Sequence, residues 1–191
     1  TKFSEIIVLI LDASIDKLDK LHKKLASYTL KIGKGLIIIF NKCDLIENKK
    51  NKKEKLIKFI KFSLPQVDVK KILFVSALRD KEFTKILKIS SETKDLLKIK
   101  MSTSSLNKWL KETIKYNPPI KIKGKEIKFK YIVQTDSNPP TFKIFSNYPK
   151  KINSSYKRYL EKKLKTNYKI ENIPIFLRFT TTKNPYQPKK K

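Results

Sequence analysis

The sequence predicts an α/β protein with a doubly wound parallel sheet in its first half, followed by a small α+β module. Two observations carry the first part. Residues 5–11 (EIIVLIL), 36–40 (LIIIF) and 72–75 (ILFV) are unbroken, β-branched apolar runs, the pattern of parallel strands buried on both faces. Helical periodicity separates them, so strand, helix, strand, helix, strand gives a pair of right-handed crossovers. The third observation is a change of pattern after about residue 100, where strands alternate apolar and polar residues and two helices flank them.

Each element has a local reason. Leu18, Leu21, Leu25, Tyr28 and Ile32 recur at three- and four-residue steps, an amphipathic helix ended by Gly33 and Gly35. Leu56, Ile57, Phe59 and Ile60 mark the next helix, whose outer face from Lys49 to Lys55 is lysine-rich and solvated. Ser102 to Ser105 precede Leu106, Trp109, Leu110 and Ile114, a capped helix that stops before Asn117-Pro118-Pro119. Ile127, Phe129, Tyr131 and Val133 alternate with Lys128, Lys130 and Ile132 as a half-buried strand, and Asn138-Pro139-Pro140 turns the chain into a strand from Phe142 to Phe145. A helix from about Ser155 carries Tyr156, Tyr159, Leu160 and Leu164 on its apolar face, and Pro174 to Phe179 is the last strand. The expected division is residues 1–100, 101–182, and a basic tail over 183–191.

Composition narrows the function. The 191 residues hold 46 basic and 17 acidic side chains, a net charge of +29, with 39% hydrophobic residues gathered into compact runs that a disordered chain lacks. No run approaches the roughly 18 residues of a membrane span and no secretory leader is evident, so a cytoplasmic location is expected. One cysteine, Cys43, and one histidine, His22, leave no internal disulfide and no Cys/His zinc site. Of the basic residues only Arg79, Arg158 and Arg178 are arginine, and the 43 lysines divide evenly, 21 in residues 1–95 and 22 in 96–191. That spread fits either drift in an AT-rich gene or a selected binding surface; both favour contact with phosphate backbones.

Ligands of doubly wound sheets bind at the C-terminal ends of the strands. After the second run stands Asn41-Lys42-Cys43-Asp44, and after the third Ser76-Ala77-Leu78. An ionised carboxylate accepts only, with two oxygens, and guanine offers two adjacent donors, so Asp44 can make a bidentate pair that adenine cannot match. Cys43 is read as packing.

These two segments resemble the guanine-reading N-K-x-D and S-A-L/K motifs of the P-loop GTPases. The resemblance implies that Asn41 holds the loop and the guanine edge, that the Lys42 stem packs over the purine, and that a backbone N–H around Ala77 meets the guanine carbonyl while Ser76 and Leu78 shape the loop. From Ser102 onward the chain resembles the KH-like C-terminal domain of the Der (EngA) GTPases, in S-T-S-S-L-N-K-W-L (102–110), N-P-P-T-F (138–142), S-Y-K-R-Y-L-E (155–161), I-P-I-F-L-R-F (173–179) and K-N-P-Y (183–186). It implies a GTPase of ribosome biogenesis that binds GTP or GDP with Mg²⁺, acts in large-subunit assembly with ribosomal RNA, and carries upstream GTPase domains. The sequence holds no G-x-x-x-x-G-K-S/T and no D-x-x-G, so the resemblance begins inside the second GTPase domain and no catalytic residue or metal ligand is assigned in this chain. Arg79, Asp80 and Lys81 replace a usual glycine-containing segment, and Asn172 stands where a glycine is common. Residues 125–191 lack glycine altogether, so the G-x-x-G clamp of standard KH modules is missing; this and the SYKRYL and NPPTF segments speak against an Era-type relative. Candidates for RNA contact are Lys157, Arg158, Lys162, Lys163 and Lys165, with an ordinary solvated helix face as the alternative. The rival reading is a nucleotide-independent RNA- or ribosome-binding module.

Overall fold

In the computed structural model, described for residues 4–65, 67, 69–79, 83–121, 124–171 and 173–181, the chain divides into two compact units, residues 1–99 with 170–174 and residues 100–169 with 175–191. The expected tail at 183–191, and positions 80, 81 and 172, lie outside the described residues.

The first unit runs β1 (Ile6–Asp12), α1 (Lys20–Lys31), β2 (Gly35–Asn41), a 3₁₀ turn at Cys43–Leu45, α2 (Lys49–Ser63), β3 (Ile72–Phe74) and α3 (Phe83–Leu97). The strands are parallel in the order β1-β2-β3. β2, in the centre, buries every residue from Gly35 to Phe40. Its Leu36, Ile38 and Phe40 share a core with Ala26 of α1 and Leu56 and Ile60 of α2. The opposite face meets α3: a Cβ on Gly35 would lie 2.7 Å from Thr93 Cγ2, closer than side chains tolerate, so glycine is required by the approach of that helix. Helices therefore cover both faces, as the doubly wound class demands.

Three expectations need correction. β1 is not buried on both faces: Val8 and Ile10 are 38% and 63% exposed on one face, while Leu9 and Leu11 turn to the core on the other; β1 also stands last in the sheet order among the described residues. The expected apolar stripe of α1 faces the core only at its ends, at Leu18 just before the helix and in part at Ile32 just after it. Leu21, Leu25 and Tyr28 are exposed, while the slimmer Ala26 and Thr29 are buried; a helix against a sheet presents its small residues where the backbones come close, and hydrophobicity alone does not choose the face. Helix α3 went unanticipated, although Ile86, Ile89, Thr93 and Leu97 follow helical steps and turn toward the interior.

The second unit runs α4 (Thr103–Tyr116), β4 (Phe129–Ser137), β5 (Pro140–Ser146), α5 (Ser154–Asn167) and β6 (Phe176–Thr180). Ser102 caps α4 by accepting the Ser105 N–H at 3.2 Å, and Asn153 caps α5 through the Tyr156 N–H at 2.7 Å. The sheet order is β4-β5-β6, antiparallel then parallel. A bulge between Phe129 and Tyr131 breaks the predicted alternation in β4. Beyond it the fully buried residue is Ile132, opposite Ile144, and not Tyr131 or Val133, since one extra residue flips all that follow. The Asn107 side chain of α4 spans the disturbed ladder, accepting the Ile132 N–H and donating to the Ile132 carbonyl, both at 3.0 Å. No helix among the described residues is long and apolar enough to cross a membrane.

Two consequences are measurable. Gly35→Ala forces Cβ against a buried threonine and should destabilise the protein by about 1–3 kcal/mol in urea unfolding; an unchanged midpoint would show that α3 yields. The Tyr156 hydroxyl donates to the Asn117 carbonyl at 2.6 Å, and burial first, then Tyr159, pushes its pKa up to about 12. The folded state thus holds this proton more tightly than the unfolded chain. The resulting stabilisation is complete below about pH 10, the unfolded value, and is lost as pH rises toward about 12. The stability difference between the parent and Tyr156→Phe should shrink across that window, and a constant difference would contradict the assignment.

Candidate functional site

The C-terminal ends of β1, β2 and β3 converge because the parallel register pairs Asp12 with Asn41 and Phe40 with Phe74. Backbone bonds extend the pairing past the strands. Ala13 donates to the Asn41 carbonyl at 2.7 Å, Val75 to Phe40 at 2.9 Å, and Cys43 to Val75 at 3.1 Å. The Asn41 side chain then ties the two motifs together, its Oδ1 accepting the Ala77 N–H at 2.9 Å.

Lys42 takes a left-handed conformation, φ 63° and ψ 36°, before the 3₁₀ turn. This sharp reversal turns Cys43 inward, where it is 7% exposed and its Sγ donates to the Phe40 carbonyl, and brings Asp44 beside Ser76. The Asp44 side chain is only 9% exposed. Its pKa lies below the usual carboxylate range, chiefly through the Ser76 hydroxyl, with smaller help from its own backbone N–H and the charges of Arg79 and Lys49. Asp44 is therefore an ionised acceptor at neutral pH.

Lys42 sends its ammonium back to Asp12, Nζ to Oδ2 2.9 Å. Asp12 also accepts the Ser14 N–H at 2.9 Å, and that bond, followed by Lys42, lowers its pKa to about 2. With Nζ held there, the Lys42 side chain remains about half exposed. Leu78 projects outward, 93% exposed.

Every sequence-predicted residue of the two motifs is thus brought together: Asn41, Lys42 and Asp44 with Ser76 and Ala77, and Leu78 beside them. The Ala77 N–H is engaged by the Asn41 side chain. Two participants were missed. Asp12 carried a signal in its place at the end of a strand run, and Arg79, whose Nε lies 3.9 Å from Asp44 Oδ2, carried one in being among only three arginines. On α5, Lys157 lies over the Phe179 ring at 5.4 Å, Lys163 over Tyr116 at 5.6 Å, and Lys165 pairs with Glu161 at 3.4 Å. Arg158 and Lys162 are exposed. No cluster of His, Cys, Asp and Glu among the described residues could hold a metal ion.

A central parallel sheet with helices on both faces and paired loops at its strand ends, followed by a unit of one three-stranded sheet and two helices, defines the class: a doubly wound α/β unit and a small α+β unit. Residues 100–180 match the model described as the KH-domain-like family of EngA bacterial GTPase enzymes, C-terminal. The chain is 35% identical over 188 residues to the GTPase Der of Rickettsia akari (strain Hartford), covering 97% of this chain and 42% of that protein, and equally to that of Rickettsia felis. The chain is thus similar to the C-terminal part of the GTPase Der proteins, with residues 100–180 matching the KH-like model; it spans under half the length of those relatives. Among solved structures, Era of Aquifex aeolicus bound to GDP.AlF4- is similar with a TM-score of 0.41 and 16% identity, over 95% of this chain and 67% of that one.

The loop geometry makes a direct prediction. Asp12→Asn should release the Lys42 ammonium and, with Asn41→Ala, raise amide hydrogen exchange at Ala77 and across 42–45 while the β2 core stays protected. Unchanged exchange in both variants would show that these side chains do not hold the loops.

Proposed function

We propose that the first unit is the guanine-recognition half of a GTP site and that the chain serves a GTPase acting in large ribosomal subunit assembly. The observation that carries this reading is the Asn41 side chain binding the Ala77 N–H at 2.9 Å, which ties the two motifs together, with the Asp44 side chain only 9% exposed beside them. It leaves an ionised carboxylate fixed at the lip of the strand ends. Guanine would lay its ring N–H and amine on Asp44, with its face against the Lys42 stem, and its carbonyl would compete with Asn41 for the Ala77 N–H. Kinship with GTPase Der proteins supports the same ligand.

Phosphate binding and Mg²⁺ would come from residues outside this sequence, since it holds no G-x-x-x-x-G-K-S/T or D-x-x-G. The 191 residues alone should therefore not hydrolyse GTP and should bind it weakly; submicromolar affinity would contradict this. Chemical-shift titration with millimolar nucleotide resolves the base. GDP should perturb the amides of Asn41, Asp44, Ser76 and Ala77, and ADP should not. Asp44→Asn should transfer the response to xanthosine diphosphate, whose additional carbonyl accepts from an amide. Equal perturbation by ADP and GDP would defeat the assignment.

A second reading, a nucleotide-independent RNA- or ribosome-binding module, is favoured by the net charge of +29. Pull-down of ribosomal RNA at graded salt separates the two, since binding indifferent to GTP supports the module.

A further inference from the structure

Three of the 46 basic residues are arginine, and one of them, Arg79, stands at the carboxylate assigned to the base. Its Nε lies 3.9 Å from Asp44 Oδ2, an ion pair too long to be a hydrogen bond. The two partners are held differently. The Asp44 side chain is 9% exposed within the 3₁₀ turn that follows Lys42, whereas the Arg79 side chain is 74% exposed. The backbone of Arg79 is anchored, its N–H donating to the Ser76 carbonyl at 3.1 Å. The guanidinium can therefore leave Asp44 while the Ser76-Ala77-Leu78 turn keeps its shape.

Arginine and guanine present the same group to a carboxylate. In guanine the ring N–H, the carbon beside it and the exocyclic amine form a donor–carbon–donor fork; in arginine Nε–H, Cζ and an Nη–H form another. Either fork can lay two parallel hydrogen bonds on the two oxygens of one carboxylate, and a lysine ammonium, a point charge, cannot. The charge of Lys49 also reaches Asp44, more weakly than that of Arg79, but it carries no fork. A single carboxylate accommodates one such fork at a time, so Arg79 and a guanine base are rivals for Asp44.

We propose that Arg79 is an internal stand-in for guanine, guarding Asp44 while the site is empty and giving way when the base enters. The inference rests on the guanine-recognition reading above and adds to it a competitor built into the chain. Its strength follows from the geometry. An ion pair this long and this exposed contributes little, so the guard weakens base binding a few-fold and does not block it.

The test is a chemical-shift titration of the full 191-residue chain with guanosine, an uncharged ligand that removes the attraction of phosphate to a net charge of +29. Three arginines give three Nε–H signals, and Arg79→Lys identifies the Arg79 signal by its loss. Guanosine and the Asp44→Asn change should each move that signal in the same direction, and adenosine should not move it. Arg79→Gln, which removes charge and fork together, should tighten guanosine binding about threefold. Arg79→Lys keeps the charge and loses the fork, and should tighten it as well. Equal or weaker guanosine binding in Arg79→Gln overturns the proposal, as does an Arg79 signal indifferent to both guanosine and Asp44→Asn. Parental affinity in Arg79→Lys assigns the effect to charge alone and overturns the fork. If guanosine still perturbs the amides of Asp44 and Ala77 in those cases, the guanine reading stands and only the guard is removed. No response to guanosine in either the parent or Arg79→Gln removes both.

Discussion

The double burial of β2 is the constraint on which the first unit depends. Its six residues from Gly35 to Phe40 sit between a parallel strand on each side and helices on each face. Once that strand is immobile, its exit is immobile too, and Asn41 becomes a fixed post from which Ala13 and Ala77 are hung. The loops need no glycine-rich flexibility. They are positioned by backbone bonds that continue the sheet beyond its last ladder pair, with a left-handed Lys42 making the turn.

Electrostatics reinforces this in a chain with 17 acidic residues against 46 basic ones. Each carboxylate at the strand ends has been given partners that keep it ionised: Asp12 by Ser14 and Lys42, Asp44 by Ser76 and more weakly by Arg79. The two serve different ends. Asp12 is consumed by structure, since it anchors the Lys42 ammonium at 2.9 Å, whereas Asp44 Oδ2 lies 3.9 Å from Arg79 Nε. A surface charge of +29 would be a poor guide to specificity by itself, because counterion release rewards any polyanion. Discrimination has to come from geometry, and under the proposed reading it comes from the Asp44 carboxylate meeting a base.

The second unit meets a different difficulty, a strand interrupted by a bulge beside its covering helix. Asn107 resolves it with one amide that pairs with both backbone groups of Ile132, in the manner of a neighbouring strand. The correction to β4 follows from this bulge. Alternation read from Ile127 to Val133 assumes a continuous period of two, and one extra residue sends Ile132 to the core in place of its neighbours.

By itself the sequence determined which segments are strands and helices, α3 excepted, that the first sheet is parallel, and which six residues gather at its exits. All of these follow from local patterns: unbroken apolar runs, capping residues, and motifs placed directly after strands. It also pointed to the family through segments dense enough to identify the second unit. Tertiary structure alone decided which strand is central, which stripe of α1 faces inward, where the β4 register slips, and that Asp12 and Arg79 attend the two motif residues Lys42 and Asp44. Those outcomes depend on neighbours distant in sequence. A run such as Ile6 to Leu11 has the same pattern at the centre of a sheet as at its edge, and only the number of partners beside it distinguishes the two.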